Sequence, residues 1–537
     1  MKKYLFIALA AFAFAACEKP ADDNNAQQNG ELEQSYVAVS LLADDMSTRA
    51  TGDRYEDGDP AERKVKSLYF FLFDAEGNPF NIDSGVNYKQ VDVNETGNAS
   101  DETPNVSDVK NRVFVFKNYV GKYPSQIVAV INWAPAPGTA SFTLDALAGQ
   151  LLELKTADDA FVMSNAVYAA ESTNASAQKE AVRATPLTPA NIAKKEIEIE
   201  QGLVQPVKIY VERIAAKVTV NTTTENKYDI QETVDGKQIY AQVLGWELYN
   251  EYDKSYLLKK INPAWTTTEV GFNWNDAAWF RSYWAISQTT AFDAATNQVS
   301  YNTLSNDVAD SDYCGENTYN DACTKVVVKA QLVEEVNGTL QPIEIATWFG
   351  NDYINEAALR TVVANTLASQ LYYLEGTDYK SIEPNHLKVV EANETNPNTQ
   401  AQAELKAYHV FFQLSNDGVA KEWYTYSSVE GFKVAADDAV NVILGGVEPA
   451  LLYRGGQTYY YTNIKHLPST VDATQYGVVR NHVYKVNINN IKGFGTPVYD
   501  GNTYFDPETP EDIETFISAE VRILSWRVVE NGYNLGE

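Results

Sequence analysis

The chain has 537 residues, of which 12% are aromatic, and a formal net charge of −30. That charge opposes binding to nucleic acid or to an anionic membrane surface, both of which need clusters of Lys and Arg. The length calls for at least two domains.

Met1-Lys2-Lys3 opens the chain with positive charge, and Tyr4 to Ala16 is apolar or small. Residues 1–16 therefore read as a secretory signal peptide, too short to span a bilayer as a stable helix. Cys17 follows Phe14-Ala15-Ala16. A Cys directly after small residues resembles the lipobox of bacterial lipoproteins, which makes Cys17 the expected site of acylation. Phe14 stands where that motif usually has Leu. Residues 17–34 are almost devoid of apolar side chains and read as a disordered tether. No later apolar run approaches the roughly 20 residues of a membrane-spanning helix. The expected location is the outer membrane and cell surface, with attachment through lipid.

Tyr36-Val-Ala-Val-Ser-Leu-Leu42 is a strand pattern with Val37, Val39 and Leu41 on one face, and Arg49 follows it. Val65 to Phe73, Val113 to Phe116 and Ile127 to Ile131 are further strand-like runs. Leu144, Leu147, Leu151 and Leu154 fall at helical spacing. Val207 to Val220 reads as one long strand with Arg213 at its middle, and the polar break after it puts a domain boundary near residue 226. Ile239 to Tyr249, Lys325 to Leu332, Tyr408 to Leu414, Thr458 to Thr462 and His482 to Ile491 continue the β pattern. Leu359, Val362, Val363, Leu367 and Leu371 form a helical stripe. Many strands, frequent turns and few helices predict a mainly β protein with two β-sandwich domains in tandem, 50–226 and 227–510.

The last segment alternates Ile517, Ala519, Val521 and Ile523 with polar or small residues. The phase then slips, and Leu524, Trp526 and Val528 carry the apolar face. Strand-like segments at both ends of a chain fit a subunit that exchanges strands with its neighbours.

Catalytic signatures are lacking. His386, His409, His466 and His482 share no ligand or catalytic spacing, and no Gly-x-Ser-x-Gly elbow, P-loop or Rossmann fingerprint occurs. Asp53 to Asp59 is a faint calcium-loop pattern that fails at Tyr55 and Lys64. Asp307, Asp310 and Asp312 read as solvated loop acids. No enzyme activity, metal or cofactor is expected. Trp274, Trp279, Phe280 and Trp284 could stack on sugars, but aromatics at this density fit a packed core better. Cys314 and Cys323 bracket a polar loop. An oxidising compartment permits a disulfide between them, with two thiols as the alternative.

Several segments together resemble the fimbrillin family of Bacteroidales, the major subunits of short and long fimbriae (type V pili), with the short-fimbria stalk pilin most similar. They are Lys64 to Gly77, Glu212-Arg-Ile-Ala-Ala-Lys-Val218, Arg281-Ser-Tyr-Trp-Ala285, and Gly477 to Gly495 followed by the Trp526 strand. The resemblance implies transthyretin-like or Greek-key sandwiches and export as a lipoprotein. It also implies cleavage by an Arg-specific protease. Arg49 fits that cut, with Ala50 as the new N-terminus and Arg54 as a second candidate. Residues 35–49 would then be a propeptide whose strand is removed. Residues 511–537 would donate a strand to the next copy through Ile517, Val521, Ile523, Trp526 and Val528. The implied partners are other copies in a head-to-tail polymer, tip and anchor subunits, the protease, and the outer membrane before cleavage. The alternatives are a tip or anchor subunit, or a monomeric glycan-binding surface lipoprotein.

Overall fold

A computed structural model describes residues 32–42, 55–57, 59–82, 84–91, 93, 111–169, 181–260, 298–305, 307–317, 322–466, 477–505, 507 and 516–527. The protein is mainly β, with short helices between sheets.

The first sheet runs in the order Ile192–Ala193, Leu32–Leu42, Val207–Arg213, Met163–Asn165, Gln126–Ile131, Leu68–Phe73 and Tyr88–Val91, with Asn111–Tyr119 also paired to Leu32–Leu42. Leu68–Phe73 (LYFFLF) is buried at all six positions. A strand covered on both faces needs a continuous apolar run, which this sequence supplies. Phe70, Val128, Val37 and Ile209 join one core cluster.

Two further sheets face each other across a second core. One contains Ser311–Cys314, Ala216–Asn221, His482–Lys492, Phe516–Arg527 and Tyr55–Asp57. The other contains Lys227–Val234, Lys237–Tyr249, Lys325–Val336, Gln457–Asn463 and Thr496–Pro497. Val218, Tyr484 and Val486 from one sheet meet Trp246, Val328 and Tyr460 from the other. The Lys227–Val234 and Lys237–Tyr249 hairpin turns through Asp235 and Gly236, both at positive φ (49° and 78°). That is the two-residue turn whose twist matches a hairpin.

The long strand expected over Val207 to Val220 is two strands. Val207–Arg213 belongs to the first sheet and Ala216–Asn221 to the second, with Ile214 and Ala215 as the crossing. Both halves are apolar, so periodicity alone does not show the change of partner. The helical stripe from Leu144 is also shorter than its spacing suggests. The helix covers Leu144–Ala148, capped by the Thr143 side chain, and Leu151–Glu153 is a strand paired with Lys254–Tyr256. Likewise the helix Asn355–Leu367 ends before Leu371, which opens a strand.

One unit was not visible in the sequence. Ile345–Trp348 pairs with Leu451–Tyr453, so the chain between them leaves and re-enters the fold side by side. That insertion carries the helices Asn355–Leu367 and Asp437–Gly445 and a four-stranded sheet, Asp378–Ser381, Leu371–Glu375, Trp423–Ser427 and Gly431–Ala435. It has its own core around Leu359, Trp423 and Leu444.

Candidate strand-exchange site

The first strand, Leu32–Leu42, lies inside its sheet and not at an edge. One side pairs antiparallel with Asn111–Tyr119, from Leu32 opposite Tyr119 to Ser40 opposite Asn111. The other side pairs antiparallel with Ile192–Ala193 at Tyr36 and Val37, then parallel with Val207–Arg213 from Val39 to Leu42. Among the described residues, Asn111–Tyr119 and Ile192–Ala193 have no other strand partner.

Val37 and Val39 are 0% and 1% exposed and pack in the first core with Phe114, Phe116 and Ile209. Complete burial of each contributes about 1.5–3 kcal/mol relative to exposure. Two steps before Val37 the same face turns polar. Ser35 Oγ donates to Asn118 Oδ1 at 2.6 Å, and Asn118 Nδ2 donates to the Lys122 carbonyl at 2.5 Å. Glu33 holds the strand's start. Its carboxylate accepts from the Gly121 amide (3.3 Å) and the Tyr123 hydroxyl (3.2 Å) and lies 3.5 Å from Lys194. The Gly121 amide is the main cause that keeps the Glu33 carboxyl below its ordinary pKa. Strand periodicity finds Val37 and Val39. It misses Ser35 and Glu33, whose partners lie more than 80 residues away.

The last strand, Phe516–Arg527, pairs antiparallel with His482–Lys492 and parallel with Tyr55–Asp57. Its register is continuous through Leu524. The irregularity lies across the ladder, between Ile488 and Asn490 opposite Ala519 and Ser518, so the slip in hydrophobic phase at Leu524 does not break the pairing. Ile517, Val521, Ile523 and Trp526 all fall within this strand. Cys17, Arg49, Ala50, Arg54, the Trp274 to Trp284 cluster and Val528 lie outside the described residues.

A buried polar seam joins the two cores where the chain crosses at Ile214-Ala215. Arg213, fully buried, donates from Nε to the Glu62 carbonyl (3.1 Å). Lys217 Nζ lies 2.8 Å from Glu62, which also accepts from the Tyr313 hydroxyl at 2.6 Å. Burial alone would raise the Glu62 carboxyl, but the bonds from Lys217 and Tyr313 hold it below its ordinary value. Glu212 and Lys259 face each other at 3.5 Å, both fully buried. The Asn481 amide donates to the Ala215 carbonyl at 2.7 Å. The Glu212 to Val218 motif and the Arg480-Asn481-His482 motif thus hold the two halves together.

Cys314 and Cys323 are both buried, and both carry thiols in this structure. Burial, reinforced by the charges of Glu251 and Asp312, pushes the Cys314 thiol well above its ordinary range.

Residues 451–532, which include the last strand and its partner His482–Lys492, match the family described as major fimbrial subunit protein type IV, fimbrillin, C-terminal. This part of the chain is fimbrillin-like. The resemblance carried by Gly477 to Gly495 and the Trp526 strand therefore holds. No curated protein sequence matches the chain. Among solved structures, one described as a cell adhesion protein from Parabacteroides distasonis is 13% identical, with 92% of this chain and 98% of that one covered, at a TM-score of 0.36. One of the same description from Bacteroides eggerthii is 12% identical, with 92% and 97% covered, at 0.35. The tip fimbrial protein Mfa3 from Porphyromonas gingivalis, truncated at its C-terminus, is 13% identical, with 92% and 100% covered, at 0.27.

Proposed function

We propose that this protein is a structural subunit of a cell-surface fimbria, exported as a lipoprotein acylated at Cys17 and released by cleavage after Arg49. The observation that carries this reading is the place of the first strand. It is the sole strand partner of Asn111–Tyr119 among the described residues, and residues 43–54, which include Arg49, connect it to the rest of the chain. Its departure would bare two rows of backbone N–H and C=O groups and the apolar floor beneath Val37 and Val39.

A strand supplied by another copy repairs both defects. The last strand suits the task in length and in its alternation of Ile517, Ala519, Val521 and Ile523. The match to the fimbrillin C-terminal family over residues 451–532 supports the same reading. Donor and groove are different surfaces, so the contact is head-to-tail and does not close on itself. Repetition gives a filament, to which tip and anchor subunits would add at the ends. The reading requires no enzyme chemistry.

The test is limited Arg-specific proteolysis of the full chain, read by N-terminal mass spectrometry and by gel electrophoresis without boiling. A new terminus at Ala50 and a ladder of heat-sensitive multimers is the expected result. Cleavage that leaves only monomer would reject self-assembly and favour a tip or anchor role. Resistance at Arg49 and Arg54 would reject the processing step and favour a surface lipoprotein that stays attached.

A further inference from the structure

The last strand is paired on both sides only near one end. From Phe516 opposite Lys492 to Ser525 opposite His482 it lies against His482–Lys492. Tyr55–Asp57 takes over where that ladder stops. Tyr55 stands opposite Ser525, Glu56 opposite Trp526 and Asp57 opposite Arg527. Among the described residues, Tyr55–Asp57 is therefore the sole strand partner of Trp526 and Arg527.

The place of this short ladder matters because a strand comes away from an end. Phe516 is joined to the body of the fold through residues 506–515, whereas Arg527 is the last described residue of its strand. Detachment begins at the less tethered end. When the strand peels from that end, the rungs to Tyr55–Asp57 break before those to His482–Lys492.

Tyr55–Asp57 is itself held from two directions. Downstream, the Asp59 amide donates to the Glu62 carboxylate at 2.7 Å and the Glu62 amide donates to the Asp59 carbonyl at 2.9 Å. Lys217 Nζ lies 3.3 Å from Asp59 and 2.8 Å from Glu62, so this side is fixed in the buried seam. Upstream, residues 43–54 join Tyr55–Asp57 to the first strand, Leu32–Leu42, and Arg49 lies in that connection. A cut there leaves the ladder held from one side only. A ladder of three residues with one loose end frays.

We propose that Tyr55–Asp57 is a latch that keeps the last strand docked on its own subunit until the chain is cut after Arg49. The same cut frees the first strand to leave its groove, so donor and acceptor become available together and the uncut precursor does not assemble early. This inference rests on the strand-exchange reading.

Two experiments on the full chain test the latch. In the first, Tyr55→Cys is combined with Ser525→Cys, its register partner, to cross-link the latch. After cleavage at Arg49 the oxidised double variant should stay monomeric, and dithiothreitol should restore the multimer ladder of the cleaved parent. A ladder from the oxidised form, or none after reduction, would overturn the proposal. In the second, Tyr55→Pro with Glu56→Pro removes two backbone N–H groups from the latch of the uncut chain. Hydrogen exchange over Phe516–Arg527 should quicken at least about fivefold, while Leu32–Leu42 keeps the parent rate. Unchanged exchange over Phe516–Arg527 would equally overturn it. A parent that is cleaved yet forms no multimers would reject the strand-exchange reading, and the exchange rates, which need no assembly, would still decide the latch.

Discussion

Arg480 and Glu316 meet at 2.6 Å with side chains 0% and 3% exposed. The guanidinium also donates to the carbonyls of Leu257 (3.1 Å) and Tyr256 (2.6 Å). One residue thereby ties Glu316 and the Tyr256-Leu257 backbone to the turn before His482–Lys492.

A buried pair costs more to break than to replace, because one partner is left charged and dry. Arg480→Met should destabilise the protein by about 3–5 kcal/mol in urea unfolding. The double variant Arg480→Met with Glu316→Leu should recover most of that loss. A single variant within about 1 kcal/mol of the parent would show that the pair is dispensable.

Glu251 gives the stability a pH dependence. Burial, then the charges of Asp312, Glu247 and Asp253, push its carboxyl up from 4.5 to about 9. A group whose pKa is raised on folding stabilises most fully below its unfolded value. Its contribution falls as pH rises from about 4.5 towards 9. Glu251→Gln should therefore raise the thermal midpoint, more at pH 8 than at pH 5. An offset that does not change with pH would mean that Glu251 titrates normally.

Val37 and Val39 separate precursor from processed chain. The double variant Val37→Ala with Val39→Ala should cost the full chain about 2–5 kcal/mol, from lost burial and the cavities left behind. A chain that begins at Ala50 lacks both residues, so its filaments should be unaffected. Thermal unfolding of the first and polymer yield of the second provide the two readouts.

The buried cysteines should resist thiol reagents in the native protein. Cys314 is both inaccessible and held protonated, and the thiolate is the reactive form. Labelling by a maleimide should await unfolding. Rapid native labelling at Cys314 would contradict its burial.

The sequence made the β character and the strand-like ends legible, because alternation at Val37 and Val39 or at Ile517 to Ile523 is a local property. It did not reveal which strands are neighbours. Nothing in Val207 to Val220 marks the passage from one sheet to the next at Ile214-Ala215, because both flanks are buried and apolar. The inserted unit was hidden for a similar reason: its closure depends on Ile345 pairing with Tyr453, more than 100 residues apart. The polar side chains of the seam carry no local sign of their partners. Only partners distant in sequence, such as Glu62 for Lys217, show why they are buried.

The parallel pairings at the crossing have a mechanical consequence. Val39 to Leu42 runs parallel to Val207 to Tyr210, and Lys217 to Asn221 runs parallel to Val483 to Asn487. A pull directed along either pair strains its rungs together as a shear, whereas a pull at one strand end would peel them singly. Tension entering at the first-strand position passes through two covalent links, Ile214 and Ala215, into a second ladder loaded in the same way. Stretching along the strand direction therefore loads both ladders in shear.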